Sequence, residues 1–226
     1  MSTLFILIKK QFKREWLVQV RQIKFLINSG LFFLMMLLLF PLTLKPEVSL
    51  MRSVAPGLVW MAMLLSLLLS AERLFQQDQE QGVLEQWLVS GQPLAVLVGS
   101  KVAAHWLFNL IPFIILSPLV AVFFSLNLWE TWILILSLIC GTPALLFLCA
   151  LAASFGIGID QNGTLMALIL LPLTLPLLVF GSASLTNAMQ GLNVDGYLAL
   201  LLAMSLIAIA FLPVAIAGVI RLNHTH

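Results

Sequence analysis

Long apolar runs broken by short polar joints define this chain. Leu31–Phe40 is apolar without interruption, and runs of the same kind recur toward the C-terminus. Strands of a membrane barrel alternate polar and apolar side chains with period two; these runs do not, so the pattern predicts helices. Six runs are predicted as spans: Phe25–Leu44, Val54–Ala71, Val102–Ser125, Thr131–Gly156, Thr164–Ser182 and Tyr197–Ile220. Each can cross about 30 Å of hydrocarbon at about 1.5 Å per residue. The fold class is therefore an all-α polytopic membrane protein, with every backbone group satisfied inside its own helix.

One polar island interrupts the pattern, from Glu72 to Gln92, between the second and third runs. Its five charges, Glu72, Arg73, Asp78, Glu80 and Glu85, would oppose burial in lipid by more than about 12 kcal/mol. The island therefore lies in water or at the membrane surface. Gly82 divides it into two short helical pieces, with Leu74 and Phe75 in the first and Leu84, Trp87 and Leu88 in the second. Short amphipathic helices that join two spans are suited to docking in a groove of a partner; a loop that merely faces water is the alternative.

Ahead of the first run, Phe5, Ile8, Phe12, Trp16, Val20 and Ile23 fall within an arc of about 120° on a helical projection. Lys10, Arg14, Arg21 and Lys24 lie largely opposite, and Lys9 flanks the stripe, where it can snorkel. Residues 1–24 thus read as an N-terminal interfacial amphipathic helix drawn to anionic lipid, with simple anchoring as its role. The first span ends in Phe40-Pro41-Leu42, lacks the short apolar core of a removable leader, and reads as an uncleaved anchor. Residues 25–220 are expected to form one six-helix transmembrane domain containing the loop at 72–92, and 221–226 a tail.

Composition narrows the class. Hydrophobic residues make up 62% of the 226 positions and charged ones 9%, with a mean hydropathy of +1.10, which leaves no room for a soluble domain. A net charge of +2 without a basic patch interleaved with aromatics excludes nucleic acid as a partner. With the N-terminus inside, nine basic residues (Lys9, Lys10, Lys13, Arg14, Arg21, Lys24, Arg73, Lys101, Arg221) are cytoplasmic and two (Lys45, Arg52) are outside. That bias puts both termini and the island in the cytoplasm.

Catalytic motifs are absent. Gly99-Ser100-Lys101 has the wrong order for a phosphate-binding loop, so the chain is not expected to hydrolyse ATP alone, and it reads as a non-enzyme. Cys140 and Cys149 point about 180° apart on one helix and cannot form a disulfide. His105 is the one ionisable side chain well inside a predicted span. It reads either as a haem ligand or proton relay, or as a neutral imidazole hydrogen-bonded between helices, the second reading being favoured. Asp160 falls in a loop, and His224 and His226 in the tail. Pro112, Pro118, Pro143, Pro172, Pro176 and Pro213 sit inside spans, where each removes a backbone donor and tends to kink its helix.

Several strings carry a family resemblance. They are Arg52-Ser53-Val54-Ala55-Pro56-Gly57-Leu58-Val59-Trp60 and Glu72-Arg73-Leu74-Phe75 followed by Asp78, Gly82 and Leu84-Glu85-Gln86. Lys101-Val102-Ala103-Ala104-His105-Trp106, Gly141-Thr142-Pro143, Leu171–Pro176 and Val194-Asp195-Gly196-Tyr197 follow in order. In order and spacing the chain resembles the cytochrome c maturation protein B (CcmB) family, membrane subunits of a haem exporter-like ABC complex. The resemblance implies six helices in the bacterial inner membrane, no cofactor of the chain's own, and ATP bound by a partner ATPase. It also implies a haem-handling C subunit, a small D subunit, a homodimer within the complex, and haem in that complex. ATP would drive release of a haem-loaded chaperone. Glu72, Arg73, Asp78, Gly82 and Glu85 are the positions it implies for ATPase contact, with Leu74, Phe75 and Leu84 as their apolar support. Asp160-Gln161-Asn162-Gly163, where the family often has a basic pair, and Leu110-Ile111-Pro112 depart from the pattern. A secondary transporter or channel, and a membrane scaffold without driven transport, are the other classes the chain admits.

Overall fold

The structure, a computed structural model, describes residues 2–21, 23–43, 47–72, 74–156 and 163–223. Arg73, Lys45, Asp160, Gln161, Asn162, His224 and His226 lie outside the described residues, as does Leu44 at the end of the first predicted span.

All regular structure among the described residues is helical: α1 (Ser2–Arg21), α2 (Ile23–Thr43), α3 (Val48–Glu72), α4 (Gln76–Glu80), α5 (Val83–Val89), α6 (Leu94–Phe123), α7 (Leu128–Phe155), α8 (Gly163–Met189) and α9 (Asp195–Asn223). Among the described residues, four stretches are long and apolar enough to cross a membrane: Val48–Glu80, which begins with α3, then Leu94–Phe123, Leu128–Phe155 and Asp195–Asn223. Ile27–Thr43 is a shorter apolar helix. The tail predicted at 221–226 begins later than expected, because α9 runs on through Asn223.

Helix α7 is the hub, packing on α3, α6, α8 and α9. Glycines on α7 and α8 make their contacts with α3 possible. The Trp60 indole of α3 is wholly buried, and a Cβ at Gly141 or Gly181 would lie 2.6 Å or 2.1 Å from its ring. Small residues let membrane helices approach where lipid offers no hydrophobic drive to associate.

The third span begins earlier than the predicted Val102. Pro93 stands at the N-cap of α6, where its fixed φ suits a helix start and its missing N–H costs nothing. The apolar residues from Leu94 to Gly99, between the end of the island at Gln92 and the predicted start of the span, therefore belong to the helix. Each of the six prolines predicted inside spans lies within a helix.

The N-terminal segment is a helix, but its buried face differs from the predicted stripe. Helix α1 docks on α6, and the side chains turned inward are Gln11 and Glu15, both buried, with Phe12, Trp16 and Gln19 half-buried. Ile8 and Val20, members of the apolar stripe, are exposed. Partners on α6 decide the orientation: Trp16 meets Phe108 edge to face at 5.6 Å, while Glu15 finds a cation.

Candidate functional site

The site is built where the polar island meets the ends of the bundle helices. After α3 the chain turns through Leu74 and Phe75, both buried, into α4. Gly82 then takes φ 69° at the start of α5, a left-handed conformation costly for residues with a Cβ. That single reversal lets Leu84 and Trp87 of α5 enter the same core that holds Leu74 and Phe75. Glu72, Gln76, Glu80, Glu85, Gln86 and Val89 are left exposed. The island is thus fixed to the bundle on one side and open on the other.

Asp78 of α4 is turned inward, toward Lys101 of α6. Lys101 Nζ lies 2.7 Å from Asp78 Oδ2 and 3.3 Å from Glu15 Oε2 of α1. The side chains of Glu15, Lys101 and Asp78 are only 3%, 7% and 12% exposed. The Asp78 contact is an ion pair off the axis of a well-directed hydrogen bond. Glu15 is held from both sides, since Gln11 Nε2 donates to its Oε1 at 2.9 Å. One buried cation thus joins two carboxylates from helices far apart in sequence, leaving one net negative charge.

One turn along α6, His105 closes a second network. Gln19 Nε2 of α1 lies 2.8 Å from Nδ1, and Ser70 Oγ of α3 lies 2.8 Å from Nε2. The Ser70 hydroxyl donates to Asn109 Oδ1 at 2.9 Å, and Asn109 Nδ2 donates to the His105 carbonyl at 2.9 Å. Since the Ser70 proton is committed to Asn109, Ser70 Oγ accepts from His105 Nε2–H, and Nδ1 accepts from Gln19. The pattern assigns a neutral imidazole with both ring nitrogens engaged in hydrogen bonds. It ties α1, α3 and α6 together one turn from the ion triad.

These two networks wall a cleft of about 230 Å³ whose rim includes Arg14 and Gln81. Arg14 is exposed. Of the predicted positions, Asp78, Leu74 and His105 line the cleft, Glu72 and Glu85 point away from it into the open, and Phe75 and Leu84 are core. Gly82 supplies the turn. Glu15, Gln19, Ser70 and Lys101 were not anticipated as site residues. Glu15 interrupts a basic segment, and Gln11, Glu15 and Gln19 repeat at helical spacing; that was the available signal.

A different charge pair occupies the other end of α3. Glu130, 2% exposed, makes a capping box with Asn127: the Glu130 N–H donates to Asn127 Oδ1 at 2.8 Å, and the Asn127 N–H to Glu130 Oε2 at 2.9 Å. Arg52 Nη2 reaches Glu130 Oε1 at 2.5 Å, and Nη1 donates to the Ser125 carbonyl. This cluster staples the start of α3 to the α6–α7 turn. Among the described residues, no group of three or more His, Cys, Asp or Glu could hold a metal ion.

Known proteins align with nearly the whole chain. Residues 6–223 match the family described as CcmB protein. A protein of Pseudomonas aeruginosa named heme exporter protein B is 41% identical over 223 residues, 99% of each chain. Proteins of the same name from Haemophilus influenzae and Escherichia coli K12 are 42% and 40% identical. They cover 93% and 94% of this chain and 96% of their own.

Proposed function

The chain belongs to the CcmB protein family, and from that premise we propose that it is the membrane subunit of a haem exporter-like ABC complex serving cytochrome c maturation. The relatives' name, heme exporter protein B, supports the system. Six membrane spans, both termini in the cytoplasm and a bacterial inner membrane location belong to this reading, as do a homodimer and the C and D subunits. The chain's role is to pass motion from a partner ATPase, which binds and hydrolyses ATP, into the helix bundle. Haem loads elsewhere in the complex, and the driven step serves its delivery or the release of haem-loaded chaperone.

The observation that carries the reading is the two-sided island. Leu74, Phe75, Leu84 and Trp87 are locked in the core while Glu72, Glu80, Glu85 and Gln86 stay exposed. An element that only faced water would not need four buried anchors. One built to transmit a push needs a rigid attachment on one side and a free polar face on the other.

Glu85→Lys reverses a charge on the free face without touching an anchor. The chain should insert and the bundle remain intact, while cytochrome c yield falls by about tenfold or more. Unchanged yield in that variant would remove the island from the coupling role. Co-purification from native membranes in mild detergent, read by mass spectrometry and a haem absorbance scan, tests the complex itself. Recovery of the chain without an ATPase would bring a channel or secondary transporter to the front. Replacing the ATPase's catalytic carboxylate separates a driven subunit, which loses function, from a scaffold, which tolerates it.

A further inference from the structure

We infer that Lys101 is a positioning residue that latches the N-terminal helix to the coupling element, so that α1 moves with α4 when the ATPase acts. This rests on the ATP-driven reading above. Three observations support it. The Lys101 ammonium is buried and bridges Asp78 of α4 to Glu15 of α1. Helix α4 is a single short turn of five residues, with Asp78 its only buried residue, so the ion pair is its main polar hold on the bundle. Helix α1 turns Gln11, Glu15 and Gln19 inward beside Phe12 and Trp16, so polar partners on α6 and, through Lys101, on α4 hold it together with the Trp16–Phe108 contact.

The geometry distinguishes a latch from a static brace. Removing a partner from a buried ion triad is costly, and this one is made of three side chains on three elements, so its charges hold together elements that can each shift as a unit. The cleft beside it gives α1 and α4 room to shift together. Through Gln19 and His105, α1 also reaches Ser70 at the end of α3. A displacement of α4 is therefore felt by α1 through Lys101, and at the end of the first long core helix through Gln19 and His105.

The test uses the complex purified with its ATPase, carrying Val18→Cys at the cleft wall in a chain whose own thiols, Cys140 and Cys149, are replaced by alanine. Maleimide labelling at position 18 is followed with and without ATP. In the otherwise unchanged latch, ATP should alter the labelling rate by at least about threefold. Asp78→Asn and Glu15→Gln, each removing one charge while leaving Lys101 a partner, should abolish that response. Lys101→Arg, which keeps the shared positive charge between both carboxylates, should retain most of it. A simple structural brace would shift the basal rate in every variant and leave the ATP response in place, and that persistence would overturn the latch while the driven reading stood. Absence of any ATP response in the parent complex, with the ATPase present by mass spectrometry, would also overturn it. Failure of the ATPase to co-purify would instead strike the proposed function, and the latch with it.

Discussion

The two ends of the bundle hold ion pairs of opposite character. At the Arg52 end, the carboxylate is fixed by its own helix: Glu130 is the third residue of α7, locked with Asn127 three positions earlier, and the arginine arrives afterward. At the Lys101 end the cation stands on a long helix, and its two carboxylates come from α1 and α4 across an open cleft. A charge prepaired by local geometry makes a permanent staple. A charge shared among distant elements makes a joint, because each partner can leave without the others losing their own helix. The proposed ATPase-facing island stands at the jointed end, where movement is needed.

Removing the shared cation should have the largest effect on stability. Lys101→Met leaves Glu15 and Asp78 buried without their counter-ion, and breaking a buried pair by deleting one partner costs about 3–5 kcal/mol. The chain should accumulate poorly and lose its thermal transition in detergent, read as Tm on a fluorescent fusion. Wild-type Tm in this variant would mean that the triad is open to water and that the contrast between the ends is false.

The sequence disclosed these features unevenly, for physical reasons. The break at Gly82 and the apolar anchors Leu74, Phe75, Leu84 and Trp87 were legible, because a glycine between amphipathic pieces and a helical stripe are local signals. Lys101 was not legible: it counted as one more cytoplasmic positive charge, a reading that is silent about burial. Glu15 was hidden by the stronger apolar stripe of its helix. Its partner stands 86 residues away, and no periodicity reports a contact at that separation. His105 was legible as the lone ionisable group of its span, but Gln19 and Ser70, which engage both its ring nitrogens, are ordinary polar residues until the helices are assembled.

At the stapled end, the same kind of deletion should cost less. Arg52→Met leaves Glu130 still accepting the Asn127 N–H, and the Arg52 side chain is already 31% exposed, so solvent has been sharing the pair. The loss should be about 1–2 kcal/mol, a measurable fall in Tm with the chain still assembled. A loss equal to that of Lys101→Met would show that the capping box does not hold Glu130 independently. It would erase the distinction between staple and joint.

The smallest effects separate the ends most cleanly, because two substitutions of similar stability cost should differ in function. Gly82→Ala places a Cβ at φ 69°, with Glu85 Oε2 its nearest neighbour at an ordinary 3.5 Å, so the penalty is backbone strain of about 1 kcal/mol. Asn127→Ala removes one side of the α7 capping box and also costs about 1 kcal/mol. Their Tm values should fall together. Relief of the strain at position 82, however, changes the angle between α4 and α5 and tilts the exposed Glu85 face away from its partner. At Asn127 the change is confined to a helix start that Arg52 still braces. Cytochrome c yield should therefore drop several-fold with Gly82→Ala and stay near wild type with Asn127→Ala, since only the first site lies between the proposed ATPase-facing surface and the bundle. Equal yields at equal Tm would mean that the island tolerates misalignment, and the rigid attachment of its four anchors would then need a purpose other than transmission.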